Sequence, residues 1–260
     1  MEAFDGGTKI EANLITFSHI RIGDDQRPWP VQDESPLRTI RLLARQAARV
    51  AVDLIFPPHC VGCERVGSFL CPHCLTAIAP ALDRTVPGLD QVRACARYEN
   101  SIRAAIHALK YERQVRLVEP LGDLMIRMLD EVEWPVDLVT AVPLHSTRLQ
   151  ERGYNQAGLL GRYISQVKDW IYDPNALCRI RATESQVNLS MQERQENVAG
   201  AFVADAGIVR EKRVLVVDDV LTTGSTLGAC AEALRAAGAA QVFGAAVAGA
   251  VHSGEQTSPA

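Results

Sequence analysis

Two adjacent carboxylates, Asp218 and Asp219, close the apolar run Val214-Leu215-Val216-Val217 and stand directly before Val220-Leu221-Thr222-Thr223-Gly224-Ser225-Thr226. The run is β-branched and reads as a buried strand. The Thr/Gly/Ser/Thr turn opens a helix expected from about Leu227 to about Ala237. Backbone N–H groups at a helix N-terminus favour a phosphate, hydroxyls add donors, and Gly224 lets the backbone approach closely. Asp218 and Asp219 repel a phosphate but accept hydrogen bonds from vicinal sugar hydroxyls. A 5-phosphorylated ribose satisfies both halves, with its phosphate in the turn and its 2- and 3-hydroxyls on the acids. The plainer alternative, a strand whose terminal acids cap the next helix with Thr222 or Thr223 as the cap, leaves the order of residue types unexplained.

Other phosphate loops fit worse, since the chain has neither a P-loop GK[ST] nor a G-x-G-x-x-G after a strand. The pattern of strand, two acids and V-x-T-T-G-x-T resembles the phosphoribosyl-pyrophosphate (PRPP) loop of the type I phosphoribosyltransferases. On that resemblance Asp218 and Asp219 are the catalytic pair, and Val220, Leu221, Thr222, Thr223, Gly224, Ser225 and Thr226 bind PRPP.

A second chemistry lies in Cys60-Val61-Gly62-Cys63 and Cys71-Pro72-His73-Cys74. Two C-x-x-C knuckles separated by seven residues can converge four thiolates on a tetrahedral point, the requirement of a closed structural zinc site. Cys60, Cys63, Cys71 and Cys74 are the expected ligands. His59 and His73 are substitutes in reserve, more simply bystanders. A redox dithiol would need a single unit beside a βαβ pattern, which is absent here. Cys95, Cys178 and Cys230 read as small buried hydrophobes.

The elements that must hold these groups are those of an α/β protein. The 260 residues are 47% hydrophobic, 22% charged and only 5% aromatic, which suits a layered α/β core better than a sandwich. A net charge of −4 and pI near 5.9 make no global case for nucleic-acid binding. Cysteines used as paired thiols, with no leader and no long apolar run, point to the cytoplasm and to no membrane span.

Residues 1–34 show no periodicity and read as a disordered extension. Residues 35–54 read as an amphipathic helix starting at Ser35-Pro36, with Arg38, Arg41, Arg45 and Arg49 on one face. That face could touch phospholipid or nucleic acid, and is more simply a solvated face. The cysteine module occupies 55–90, the α/β domain 91–250 and a flexible tail 251–260. Within the domain a strand from Gln91 leads to a helix that Ser101 could cap, ending at Lys110, either a contact for an anionic substrate group or a cation at a helix C-terminus. A strand over 137–143 precedes a basic loop with His145, Arg148 and Arg152, which could hold a pyrophosphate or be charged surface. A polar stretch, 181–202, containing Gln186 and Arg194, is long enough to form a lid.

In order along the chain, the cysteine knuckles, Leu109-Lys110-Tyr111, Arg152-Gly153-Tyr154-Asn155-Gln156, Arg181-x-Thr183-x-x-Gln186 through Arg194-x-x-Asn197, Phe202 and the acidic loop are similar to the ComF competence-protein family of phosphoribosyltransferase-like proteins. The resemblance, over roughly 50–248, implies a type I phosphoribosyltransferase-like parallel sheet with an N-terminal zinc module. It also implies PRPP contacts from Arg148, Arg152, Lys110, Gln186 and Arg194, and Mg²⁺ carried by the diphosphate. The first functional expectation is transfer of phosphoribose from PRPP to an unidentified nitrogenous, nucleobase-like acceptor. The second is a non-catalytic sensor of PRPP or nucleotide, or a competence protein handling single-stranded DNA with other proteins of DNA uptake. A third keeps the zinc and loop as relics in a partner-binding protein.

Overall fold

A computed structural model describes residues 57–181 and 200–250, all within the larger of two units into which the chain divides, 47–260. The expected extension 1–34, the arginine-faced helix 35–54, Gln186, Arg194 and the tail 251–260 lie outside the described residues.

The core is a five-stranded, wholly parallel sheet in the order β1-β7-β6-β2-β3. Its strands are β1 (Gln91–Arg97), β2 (Leu138–Ala141), β3 (Ile171–Tyr172), β6 (Arg213–Leu221) and β7 (Gln241–Gly249). A separate antiparallel pair, β4 (Leu177–Arg179) and β5 (Phe202–Ala204), lies outside it. The helices are α1 (Pro72–Thr76), α2 (Asn100–Tyr111), α3 (Val118–Val132), α4 (Ser146–Arg152), α5 (Gln156–Lys168), α6 (Ala206–Val209) and α7 (Ser225–Ala236).

Both faces of the sheet are covered, which is why its central strands read as continuous apolar runs. On one face Ile106, Leu109, Leu121, Met125, Leu160 and Ile164 from α2, α3 and α5 pack on Leu215 and Val217. On the other, Leu227, Cys230, Ala231 and Leu234 of α7, with Leu177 and Phe202, pack on Val214 and Val216. Truncating one of these fully buried leucines to Ala would cost about 2–5 kcal/mol, because the close-packed layer cannot refill the void.

The connection leaving β2 runs to β3 and the one leaving β6 runs to β7, in opposite directions across the sheet. The crevice between such divergent loops, at the carboxyl ends of the strands, is where open α/β sheets receive ligands. Here the turn before α7 and the start of α4 border it.

Three local expectations are corrected. The apolar run does not stop at the carboxylates: β6 continues through Asp218 and Asp219 to Leu221, because β7 extends far enough to pair with it. Val220 and Leu221 therefore belong to the strand and not to the loop, and Leu221 is buried. Second, Ser101 does not cap α2; it lies inside the helix, and its hydroxyl donates to the Cys74 carbonyl at 3.4 Å. Third, the basic segment after β2 is the helix α4, entered through His145, whose Nδ1 accepts from the Thr147 N–H, and closed by Gly153 at φ +84°.

Candidate functional site

Alternation along a strand sends neighbouring side chains to opposite faces, and on β6 this separates the two acids. Asp219 faces α2 and α5. Its Oδ1 pairs with Lys110 Nζ at 2.6 Å, its Oδ2 accepts from Gln156 Nε2, and its side chain is 5% exposed. Asp218 faces α7 and β4; it is half-buried, and its Oδ1 accepts from the Asp219 backbone N–H at 2.8 Å. Burial, reinforced by the adjacent Asp219 charge, pushes the Asp218 carboxyl up to about 7 against the opposing pull of Lys110 and Arg179. Lys110 is itself held above its ordinary value: burial pulls it down, but the Asp219 carboxylate outweighs that.

The Arg152-Gly153-Tyr154-Asn155-Gln156 segment builds the Asp219 side of the site one residue at a time. Arg152 donates to Gln156 Oε1, which orients the amide so that its Nε2 donates to Asp219. Gly153 supplies the left-handed turn that ends α4. Tyr154 donates its hydroxyl to the Leu109 carbonyl, fixing the end of α2 beside Lys110. Asn155 caps α5 through its side-chain oxygen and ties it to the end of β2 by donating to the Val142 carbonyl at 3.0 Å. The Arg152 guanidinium also lies 5.3 Å from the centroid of the exposed Tyr111 ring.

On the Asp218 side stands Arg179, at the end of β4 and 5.4 Å from the Phe202 ring centroid. Burial and the nearby Arg148 and Arg181 cations lower its pKa, while Asp218 opposes them. Arg148, Arg179 and Arg181 thus gather positive charge across from the acid. Arg179 was not among the residues singled out from sequence; no local spacing relates it to Asp218, because a two-stranded hairpin brings it there.

The phosphate-sized turn is half-open, with Thr222, Thr223, Ser225 and Thr226 all half-buried. Thr223 Oγ1 meets Ser225 Oγ at 2.7 Å and accepts from the Ser225 N–H at 3.3 Å. Gly224, at φ +84°, is the position before the first turn of α7, which begins two residues earlier than about Leu227. A Cβ there would lie 2.4 Å from Val86 Cγ2. Arg84, also unflagged in the sequence, donates to the Thr222 carbonyl at 2.6 Å and to the Ala250 carbonyl. The segment Arg84–Pro87 therefore forms the floor of the turn.

Away from the sheet, the sulfur atoms of Cys60, Cys63, Cys71 and Cys74 all lie within 4.8 Å of one another. Sulfurs about 2.3 Å from a tetrahedral zinc are just under 4 Å apart, so the cluster fits such an ion with small adjustment. Burial raises the Cys60 thiol, but N–H groups of Cys71, Gly62 and Cys63 bring it down to about 6. Burial and the other three sulfurs push Cys74 up to about 12. Four cysteine sulfurs held this closely make a donor set that could hold a metal ion such as zinc. Cys230 is fully buried, whereas Cys95 and Cys178 are only half-buried. No helix among the described residues is long and apolar enough to cross a membrane.

Residues 158–258 match the family model described as a phosphoribosyl transferase domain. The chain is 31% identical over 195 residues, 70% of its length and 85% of the relative's, to DNA utilization protein YhgH of Salmonella typhimurium. It is 29% identical over 192 residues, 71% of its length and 82% of the relative's, to competence protein F of Haemophilus influenzae. Among solved structures, adenine phosphoribosyltransferase from Thermoanaerobacter pseudethanolicus aligns with 64% of this chain and 95% of its own, at 14% identity and a TM-score of 0.36.

Proposed function

This chain belongs to the family of DNA utilization protein YhgH and competence protein F, and from that premise we propose that it binds PRPP with Mg²⁺ and transfers the phosphoribosyl group to a nitrogenous acceptor. The observation that carries the reading is the Asp218 carboxyl at the carboxyl end of the central strand, between the Arg179 cation and the half-open hydroxyl turn that begins α7. A sugar phosphate spans those features: its 5-phosphate takes the turn of Thr222, Thr223, Gly224, Ser225 and Thr226, and its hydroxyls take Asp218. Arg148, Arg179 and Arg181 lie where a diphosphate needs positive charge. Gln186 and Arg194 keep the closing role that the family resemblance gives them.

In the reaction the bond from the anomeric carbon to the diphosphate oxygen breaks, its electron pair leaving on the diphosphate. The acceptor nitrogen supplies the pair for the new C–N bond and gives its surplus proton to water. Positive charge develops on the ribose ring in between, and the Asp218 carboxylate lies where it offsets that charge. Mg²⁺ carried in with the diphosphate would supply neutralisation of the charge on the leaving group. Zinc held by Cys60, Cys63, Cys71 and Cys74 is structural on this reading, since the closed donor set leaves no open position. Free thiols in that number suit the cytoplasm.

Calorimetric titration with PRPP and Mg²⁺, followed by a pyrophosphate-release screen over nucleobases, tests the proposal; a wild-type chain that neither binds PRPP nor releases pyrophosphate refutes it. A second reading, PRPP sensing or single-stranded DNA handling without transfer, draws support from the names of the relatives. Salt-dependent binding of a single-stranded oligonucleotide, together with PRPP binding and no pyrophosphate release under any acceptor, would select it.

A further inference from the structure

We infer that Lys110 is a positioning residue which, with Gln156, commits Asp219 to the protein frame, so that a phosphoribosyl ligand meets one carboxylate, Asp218, in place of an acidic pair. The inference rests on the reading of this site as a phosphoribosyl site and departs from the expectation that both acids hold the ribose hydroxyls. Asp219 has a partner on each oxygen, Lys110 Nζ at 2.6 Å on Oδ1 and Gln156 Nε2 on Oδ2, and its side chain is 5% exposed. Neither partner is loosely placed. Lys110 sits at the end of α2, where Tyr154 ties down the Leu109 carbonyl, and the Gln156 amide is oriented by Arg152. Each Asp219 oxygen keeps a second lone pair, but with 5% of the side chain exposed a sugar hydroxyl would reach it only by shifting Lys110 or Gln156, and separating the buried pair leaves a charge without its partner. Asp218, on the opposite face of the strand, is half-buried and opposite Arg179.

The charged and titratable groups that act on Asp218 are Arg179 from β4 and Cys230 from α7 on its own face and, through the strand, Asp219 and Lys110 from α2. Lys110 therefore has a second effect. By neutralising Asp219 it limits how far the neighbouring acid holds a proton on Asp218, which must be ionised to accept hydrogen bonds from two hydroxyls.

The test uses the full chain and two probes, PRPP with Mg²⁺ and ribose 5-phosphate, which lacks the diphosphate. Asp218→Asn is expected to weaken ribose 5-phosphate at least ~10-fold, the loss of hydrogen bonds to a charged group. The neutral-pair variant Lys110→Met/Asp219→Asn is expected to bind it within about 3-fold of wild type, since both removed groups face each other and not the sugar. The pH dependence supplies a readout that a purely structural pair would not move. With the ligand's own titration taken from Asp218→Asn, the binding midpoint should fall in Asp219→Asn, rise in Lys110→Met and lie between the two in the double variant. Where Lys110→Met alone fails to fold, the double variant and Asp219→Asn carry the comparison. Loss of ribose 5-phosphate binding in the double variant as large as in Asp218→Asn, or pH midpoints unmoved by either single change, overturns the inference while leaving PRPP binding by wild type intact. Absence of binding of both probes to wild type removes the phosphoribosyl reading and the inference together.

Discussion

Asp218 carries a testable link between protonation and stability. A carboxyl raised to about 7 in the folded chain from an ordinary 3.8 keeps its proton in the native state while the unfolded chain has released it. Between those values the folded state binds more protons, so this group's stabilising contribution is present below about pH 4 and is lost as pH rises through 7. Asp218→Asn should therefore raise the melting temperature at pH 8 by a few degrees, roughly 1–3 kcal/mol, and change it little at pH 4, where both the folded and the unfolded chain hold the proton. Differential scanning calorimetry at the two values checks this; a loss of stability at pH 8 would contradict it. Asp137 behaves oppositely. Hydrogen bonds from the Arg213 side chain and backbone lower it to about 2, so its contribution is complete above about pH 4 and disappears as pH falls toward 2. The pair is more than a third exposed, and Asp137→Asn should cost no more than ~1 kcal/mol at pH 7. At Gly224, Ala meets both an unfavourable left-handed backbone and Val86. Gly224→Ala should cost roughly 1–3 kcal/mol in urea unfolding and weaken PRPP, with Val86→Ala recovering part of the stability.

Among the elements, α2 joins the two chemistries of the chain. At its start, Ser101 donates to the Cys74 carbonyl, and a Cβ on Gly62 would lie 2.7 Å from Ser101 Cβ, so the first knuckle lies directly against the helix. At its end, Lys110 reaches Asp219. Twelve residues of helix make a rod about 18 Å long, short enough to pass a displacement of the knuckles to the Lys110 ammonium. Small structural zinc modules draw their folding free energy from the ion, and on the structural-zinc reading the two knuckles do the same. Stripping zinc with a chelator, or Cys74→Ser, should lower the melting temperature and reduce PRPP affinity in proportion to metal content. Metal analysis paired with calorimetry measures both. Full PRPP affinity in the metal-free chain would show that the module and the site are independent. The connection through Arg84 and Val86 is a second route from the same N-terminal region to the phosphate turn.

At the scale of the whole molecule, a ligand that binds only the folded chain raises its stability by mass action. PRPP with Mg²⁺ at a hundred times its dissociation constant should add about 2.7 kcal/mol, a rise of several degrees in melting temperature. No shift at any PRPP concentration, with unfolding shown to be reversible, would count against PRPP binding by the folded chain. The sequence alone determined the parallel α/β sheet, because strands buried on both faces must be apolar throughout, and it determined the cysteine cluster, because two C-x-x-C units carry their own geometry. It also marked the strand, acids and turn that border the crevice, since those chemical types are contiguous. Their division of labour was decided only in three dimensions. A strand sends Asp218 and Asp219 to opposite faces, but what stands on each face comes from distant parts of the chain: Lys110 and Gln156 on one side, Arg179 on the other. The Arg152–Gln156 segment reads by composition as charged surface and by its place after a buried strand as an anion site, whereas its hydrogen bonds make it the frame of Asp219. Hydrogen bonds across such separations depend on how helices pack on the sheet, which residue spacing along a single chain does not encode.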